Sequence, residues 1–153
     1  MKKFLLLSLF IGLSTLLTAQ NPPTNGPNTV IGFEDIDYVF AAGDFPYADA
    51  DLDPMASINV YPAAGGGTFY YDANNNGNVD GGEEITVMRN ILVANIVRLK
   101  FKPDPDDNGA PYATFDFEVG DGVDGFSGID VITINITAVN DAPSFTNTGG
   151  DQT

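Results

Sequence analysis

Apolar residues along this chain fall in short runs broken by Gly, Pro and Asp at near-regular intervals. The runs are VIGF (30–33), YVFA (38–41), ASINVY (56–61), GTFYY (67–71), EITVM (84–88), IVRLKFK (96–102), YATFDFEV (112–119) and IDVITINITAV (129–139). Several alternate with period two. Val97, Leu99 and Phe101 oppose Arg98, Lys100 and Lys102; Ala113, Phe115, Phe117 and Val119 oppose Thr114, Asp116 and Glu118; Ile132, Ile134 and Ile136 oppose Thr133, Asn135 and Thr137. Such alternation predicts strands with one buried and one wet face. The stretch MRNILVAN (88–95) is the only place for a helical turn, and it is short.

Seven to eight strands in about 110 residues suit an all-β protein, an antiparallel immunoglobulin-like β-sandwich. Its expected limits are residues 31–143. Before it, QNPPTNGPNT has no apolar period, and 20–30 reads as a linker. After it, residues 144–153 read as a linker or the truncated start of a next repeat. The first 19 residues read as a signal peptide: a basic MKK, an apolar FLLLSLFIGLSTLL and small residues up to Ala19. That apolar run is too short to span a bilayer. A secreted or cell-surface location follows, with no insertion of the remaining chain into a membrane.

Charge narrows the classes of partner. The chain carries a net charge of −15, and losing Lys2 and Lys3 with the leader makes the remainder more acidic still. A nucleic-acid partner, which needs a basic face, is excluded. Of the 21 acids, 17 are Asp. Asp beside Asn and Gly builds cation-binding loops, because its short side chain holds oxygen close to the backbone. Without Cys there are no disulfides, and without His the commonest general base is missing.

The stretch DANNNGNVDGGE (72–83) fits the pattern D-x-[DN]-x-[DN]-G-x5-E position by position. Asp72, Asn74 and Asn76 take positions 1, 3 and 5, and Gly77 takes the sharp turn. Asn78 offers its carbonyl, Asp80 stands at position 9, and Glu83 is the bidentate candidate at position 12. A plain polar hairpin turn needs only two to five residues and leaves that spacing unexplained. The flanks read as strand rather than helix. The loop therefore resembles the helix-free calcium loops of thrombospondin type 3 repeats and the first half of dockerin loops. The nearby PDPDDNGAP (103–111) has no Glu at the right distance and reads as a Pro-bounded turn.

A second set of acids follows a different pattern. Glu34 stands in FEDID, Asp49 and Asp51 in YADAD, Asp121 in VGDGV, and Asn140 and Asp141 in AVNDAPSF. In order and spacing these resemble the cadherin-like repeat, in the form found in tandem in large bacterial surface proteins. The resemblance covers about Phe33 to Phe145. It implies calcium between consecutive repeats. Glu34, Asn140 and Asp141 would form half of one junction, and Asp49, Asp51 and Asp121 would cluster at the other pole. The family's D-R-E motif has no counterpart here, which leaves the Glu34 junction short of carboxylates; both polar sites are expected to bind weakly in an isolated chain, because each lacks a contributing partner repeat.

The expected function is that of a calcium-binding, non-catalytic extracellular module, a rigid spacer or adhesion repeat. Its partners would be neighbouring repeats of a longer chain, or a cell-surface protein or polysaccharide. The alternative is a polysaccharide-binding module attached to a secreted enzyme, using Tyr61, Tyr70 and Tyr71 as stacking surfaces. Catalysis is the least favoured reading, because the acids already lie in loops suited to cations.

Overall fold

The computed structural model describes residues 20–141. The signal peptide, the 144–153 segment and the end of the AVNDAPSF motif from Ala142 lie outside the described residues. The chain is all-β, with nine strands among the described residues: β1 (Asn28–Phe33), β2 (Tyr38–Val39), β3 (Ser57–Val60), β4 (Ala64–Gly65), β5 (Thr68–Tyr71), β6 (Arg89–Leu92), β7 (Leu99–Lys102), β8 (Gly109–Gly120) and β9 (Asp130–Thr137). Short 3-10 turns occupy Ala42–Asp44 and Val93–Arg98.

The larger sheet runs in the order β1-β9-β8-β3-β6, with β4 also paired to β8. The smaller runs β2-β7-β5 and is antiparallel throughout. The larger sheet is mixed rather than purely antiparallel, because β1 pairs with β9 in parallel, Asn28 opposite Ile132 and Phe33 opposite Thr137. A strand that opens the domain and lies beside the strand that closes it runs the same way when the chain crosses the domain between them.

The alternation of the two longest strands decides what is inside. Ala113, Phe115, Phe117 and Val119 on β8, and Ile132, Ile134 and Ile136 on β9, are all buried. Rings from the smaller sheet meet them. Phe69 of β5 stacks on Phe115 at 4.3 Å between centroids, and Phe40 meets the same ring edge-on at 5.4 Å. Phe45 closes on Phe117 at 5.4 Å. The core therefore lies between the sheets, where offset and edge-to-face aromatic pairs add to the area removed from water.

Three local expectations need correction. EITVM is not a strand: it touches β5 only through a bridge between Tyr70 and Glu84. The paired strand is β6, within the stretch read as a possible helical turn, and it docks on β3 with Asn59 opposite Asn90. Val97 does not join Leu99 and Phe101. It sits in the 3-10 turn before β7 and is 58% exposed, whereas both partners are fully buried. The segment read as a linker is docked. Pro23 is buried, Thr24 bridges Ala48, and the Asn25 amide donates to the Gly128 carbonyl at 2.9 Å.

Removing the central ring should show which contact the sandwiching depends on. Phe115→Ala is expected to cost about 3–5 kcal/mol, as for other buried Phe truncations. Phe33→Ala, at a ring that is half exposed, should stay within about 0.5 kcal/mol. Urea unfolding midpoints of the two variants against the parent check this.

Candidate cation-binding loops

The long excursion after β5 is pinched shut at its base. The Tyr71 N–H donates to the Glu83 carbonyl at 2.9 Å and the Ile85 N–H to the Phe69 carbonyl at 2.9 Å. Within the loop, two Asn oxygens hold the backbone two residues on: Asn74 Oδ1 accepts the Asn76 N–H, and Asn76 Oδ1 the Asn78 N–H. Gly77 adopts φ +80°, the left-handed geometry its position requires. Glu83 is buried, and its two oxygens accept the Ala73 N–H at 2.8 Å and the Asp80 N–H at 3.0 Å, so one carboxylate joins both halves of the loop. The amides of Asn74 and Asn76 both donate to Asp80 Oδ2 at 2.8 Å. The structure thus gathers the side chains of Asp72, Asn74, Asn76, Asp80 and Glu83 and the backbone of Asn78 into one bonded knot.

Asp72 has no exposed surface. Its oxygens accept the Asn76 and Gly77 N–H groups, and Lys100 Nζ lies 2.7 Å from Oδ2 in the only ion pair among the described residues. The ammonium bond comes first, with the two backbone donors, in holding this carboxyl below the ordinary Asp value against the opposing effect of burial. The alternation had assigned Lys100 to solvent. Its register opposite Tyr70 instead carries it to the loop's first residue.

The Glu34 pole is built differently. Val30, Gly32 and Glu34 continue one inward-facing series, so the Glu ends buried. Its Oε1 accepts the Val139 N–H at 2.6 Å and its Oε2 the Asn108 amide at 3.1 Å. Beside it, the carboxylates of Asp35, Asp106 and Asp141 converge, all three exposed. Asp106 foremost, then burial and the charges of Asp35 and Glu34, raise the Asp141 carboxyl. Asn140 lies in the same linker, its amide donating to the Asp141 carbonyl at 3.3 Å. Sequence reasoning found Glu34, Asn140 and Asp141 but not Asp35 or Asp106. Asp104 and Asp107 of the same loop serve the turn, bonding to Gly67 and Tyr112.

The opposite pole lies at the far end of β8, about 35 Å away at the usual rise for its twelve residues. Here Asp121 is brought together with Asp53 and Asp124, their ligand atoms within 4.8 Å of one another. Asp49 Oδ1 accepts the Asp51 and Asp53 N–H groups at 2.8 and 3.0 Å, an arrangement that wraps the loop around it. Asp51 turns to the N-terminal segment and accepts the Asn21 N–H at 2.7 Å. Burial first, then the neighbouring charges of Asp121, Asp51, Asp53 and Asp49, raise the Asp124 carboxyl. The backbone N–H groups of Val123 and Asp124 lower that of Asp121. The clustered acids at both poles suit a hard cation in general and do not by themselves select calcium.

Comparison of the chain with protein-family models, with curated proteins and with solved structures finds no match.

The Lys100 pair has a signed pH dependence. Asp72 has a lowered folded-state value, so its contribution is present above the unfolded Asp value of about 3.9 and fades as pH falls through the lowered one. In chelator, Lys100→Gln should be less stable than the parent at pH 7, and the gap should narrow toward pH 3. Denaturant titrations at the two pH values measure it.

Proposed function

We propose that this chain is a calcium-binding, non-catalytic extracellular module with an immunoglobulin-like, cadherin-like sandwich, serving as a rigid spacer or adhesion repeat of a bacterial surface or secreted protein. The strand order supports the sandwich. With β2, β3, β5, β7, β8 and β9 taken as strands B to G, the sheets read B-E-D and G-F-C, the arrangement of immunoglobulin domains. The described chain also enters beside Asp51 and leaves beside Glu34, at opposite ends of β8, as a module strung in a longer chain requires.

The observation that carries the calcium reading is Glu83. A buried carboxylate at the twelfth position, bonded to both halves of the loop, is what a calcium loop needs and a polar turn does not. Calcium would be held by Asp72, Asn74, Asn76, the Asn78 carbonyl, Asp80 and Glu83. The Asn74 and Asn76 amides, which donate to Asp80, would give up those bonds, and Asp80 would accept the cation in their place. Two neutral Asn ligands among the first three favour moderate affinity, suited to an extracellular setting.

The polysaccharide alternative is weakened by its own candidate rings. Tyr70 is fully buried, the Tyr61 hydroxyl is held by Glu118 at 2.9 Å, and the Arg89 guanidinium covers Tyr71 at 4.1 Å from its centroid.

Calorimetric titration of calcium tests the loop. Glu83→Gln should weaken binding at this site more than tenfold, and Asp141→Asn should leave it unchanged, because Asp141 belongs to the opposite ligand set. Loop binding that survives Glu83→Gln at full strength, or equal losses in both variants, contradicts the assignment. Circular dichroism of each variant confirms that the fold is retained.

A further inference from the structure

We propose that Lys100 is a tethered competitor of calcium: its ammonium sits on the first ligand of the 72–83 loop, holds the loop folded when no ion is bound, and lowers the affinity for the ion. The inference rests on the reading of that loop as a calcium site and names the residue that regulates it.

The placement of Lys100 carries the argument. It stands on β7 opposite Tyr70, on the face of the strand turned away from Leu99 and Phe101. That face is covered rather than open to water. Tyr70 has no exposed surface, and its hydroxyl donates to Asp37 Oδ2. Only 12% of the Lys100 side chain is exposed, and its Nζ lies 2.7 Å from Oδ2 of Asp72, which has no exposure at all.

Asp72 is the residue at position 1 of the loop. The same carboxylate accepts the Asn76 N–H at 3.0 Å and the Gly77 N–H at 2.9 Å, so it shapes the sharp turn while it holds the ammonium. Arg98 adds a second basic contact, its guanidinium donating to the Ala73 carbonyl at 2.9 Å. Past Lys3 the basic residues of the chain are Arg89, Arg98, Lys100 and Lys102. Two of this scarce set therefore reach one loop.

Electrostatics fixes the sign of the effect. Without a bound ion, the ammonium stabilises the loop by answering a carboxylate that has left water. A divalent cation on Asp72 has to share that carboxylate with it. If Lys100 stays, the two cations repel; if Lys100 turns outward, a shielded ion pair is lost. On either course the ion-free loop loses something that a loop without Lys100 would not lose. Lys100 thus weakens calcium binding and keeps the loop in shape before calcium arrives.

Calcium calorimetry on the chain from residue 20 onward compares the parent with Lys100→Gln and Lys100→Arg, and Glu83→Gln marks which binding event belongs to the loop. Lys100→Gln should tighten that event about fivefold or more, the usual scale of coupling between two sites. Lys100→Arg keeps the charge and should stay near the parent. Melting temperatures give a second readout. Lys100→Gln should melt below the parent in chelator, and the deficit should shrink or reverse in saturating calcium, because tighter binding returns stability. A residue that only packs would show the same deficit in both conditions. Loop binding in Lys100→Gln that equals or falls below the parent's, or a melting deficit that stays the same or grows in calcium, overturns the proposal and leaves the calcium reading standing. The absence of any calcium binding that depends on Glu83 overturns both.

Discussion

A carboxylate that leaves water must be answered by N–H donors, by a proton or by a cation, and that requirement shapes the loops of this molecule. Glu34 is answered by the Val139 N–H and the Asn108 amide. Glu83 is answered by the Ala73 and Asp80 N–H groups. Asp72 takes two backbone donors and Lys100. Asp49 and Asp121 are answered on one oxygen only. With few basic residues to share, the acids are satisfied mainly by folding backbone around them. Where backbone runs out, the clustered acids could hold a cation from solution.

The two sheets make those arrangements possible by spacing them. Strand β8 is long enough to carry an acid cluster at each end, and its inward rings are locked by Phe40, Phe45 and Phe69 from the facing side. The parallel pairing of β1 with β9 brings Glu34, just past the end of β1, beside Val139, just past the end of β9. The same pairing leaves the segment before β1 at the other pole, where Asp51 fastens it. The core fixes the direction of every loop, and the loops hold the chemistry.

The framework was legible where side chains strictly alternate. β8 and β9 show the predicted inner and outer faces because each strand buries only one side. In β3 all four residues are buried, which hides its period, yet its apolar run ASINVY still reads as a strand. The reading failed where structure is local. MRNILVAN, read as a short helical turn, holds an edge strand at Arg89–Leu92 and enters a 3-10 turn only from Val93. Among the acids, regular spacing and motif order pointed to the 72–83 loop, Glu34 and Asp121. Asp35, Asp106, Asp53 and Asp124 were missed because their convergence is a product of tertiary folding. One signal was available in the sequence: Asp35 and Asp106 each adjoin another acid in a turn-forming stretch, and the structure puts both in left-handed geometry, φ 63° and 55°, which Asp and Asn tolerate.

We propose that cations complete this fold. The most direct measurement is thermal unfolding of the chain from residue 20 onward in millimolar calcium and in excess chelator. A cation that binds the folded chain alone at a hundredfold excess over its Kd adds about 2.7 kcal/mol per site. The expected result is a melting temperature higher in calcium by several degrees or more, rising further with calcium concentration. Unfolding curves that superimpose in calcium and in chelator would contradict it.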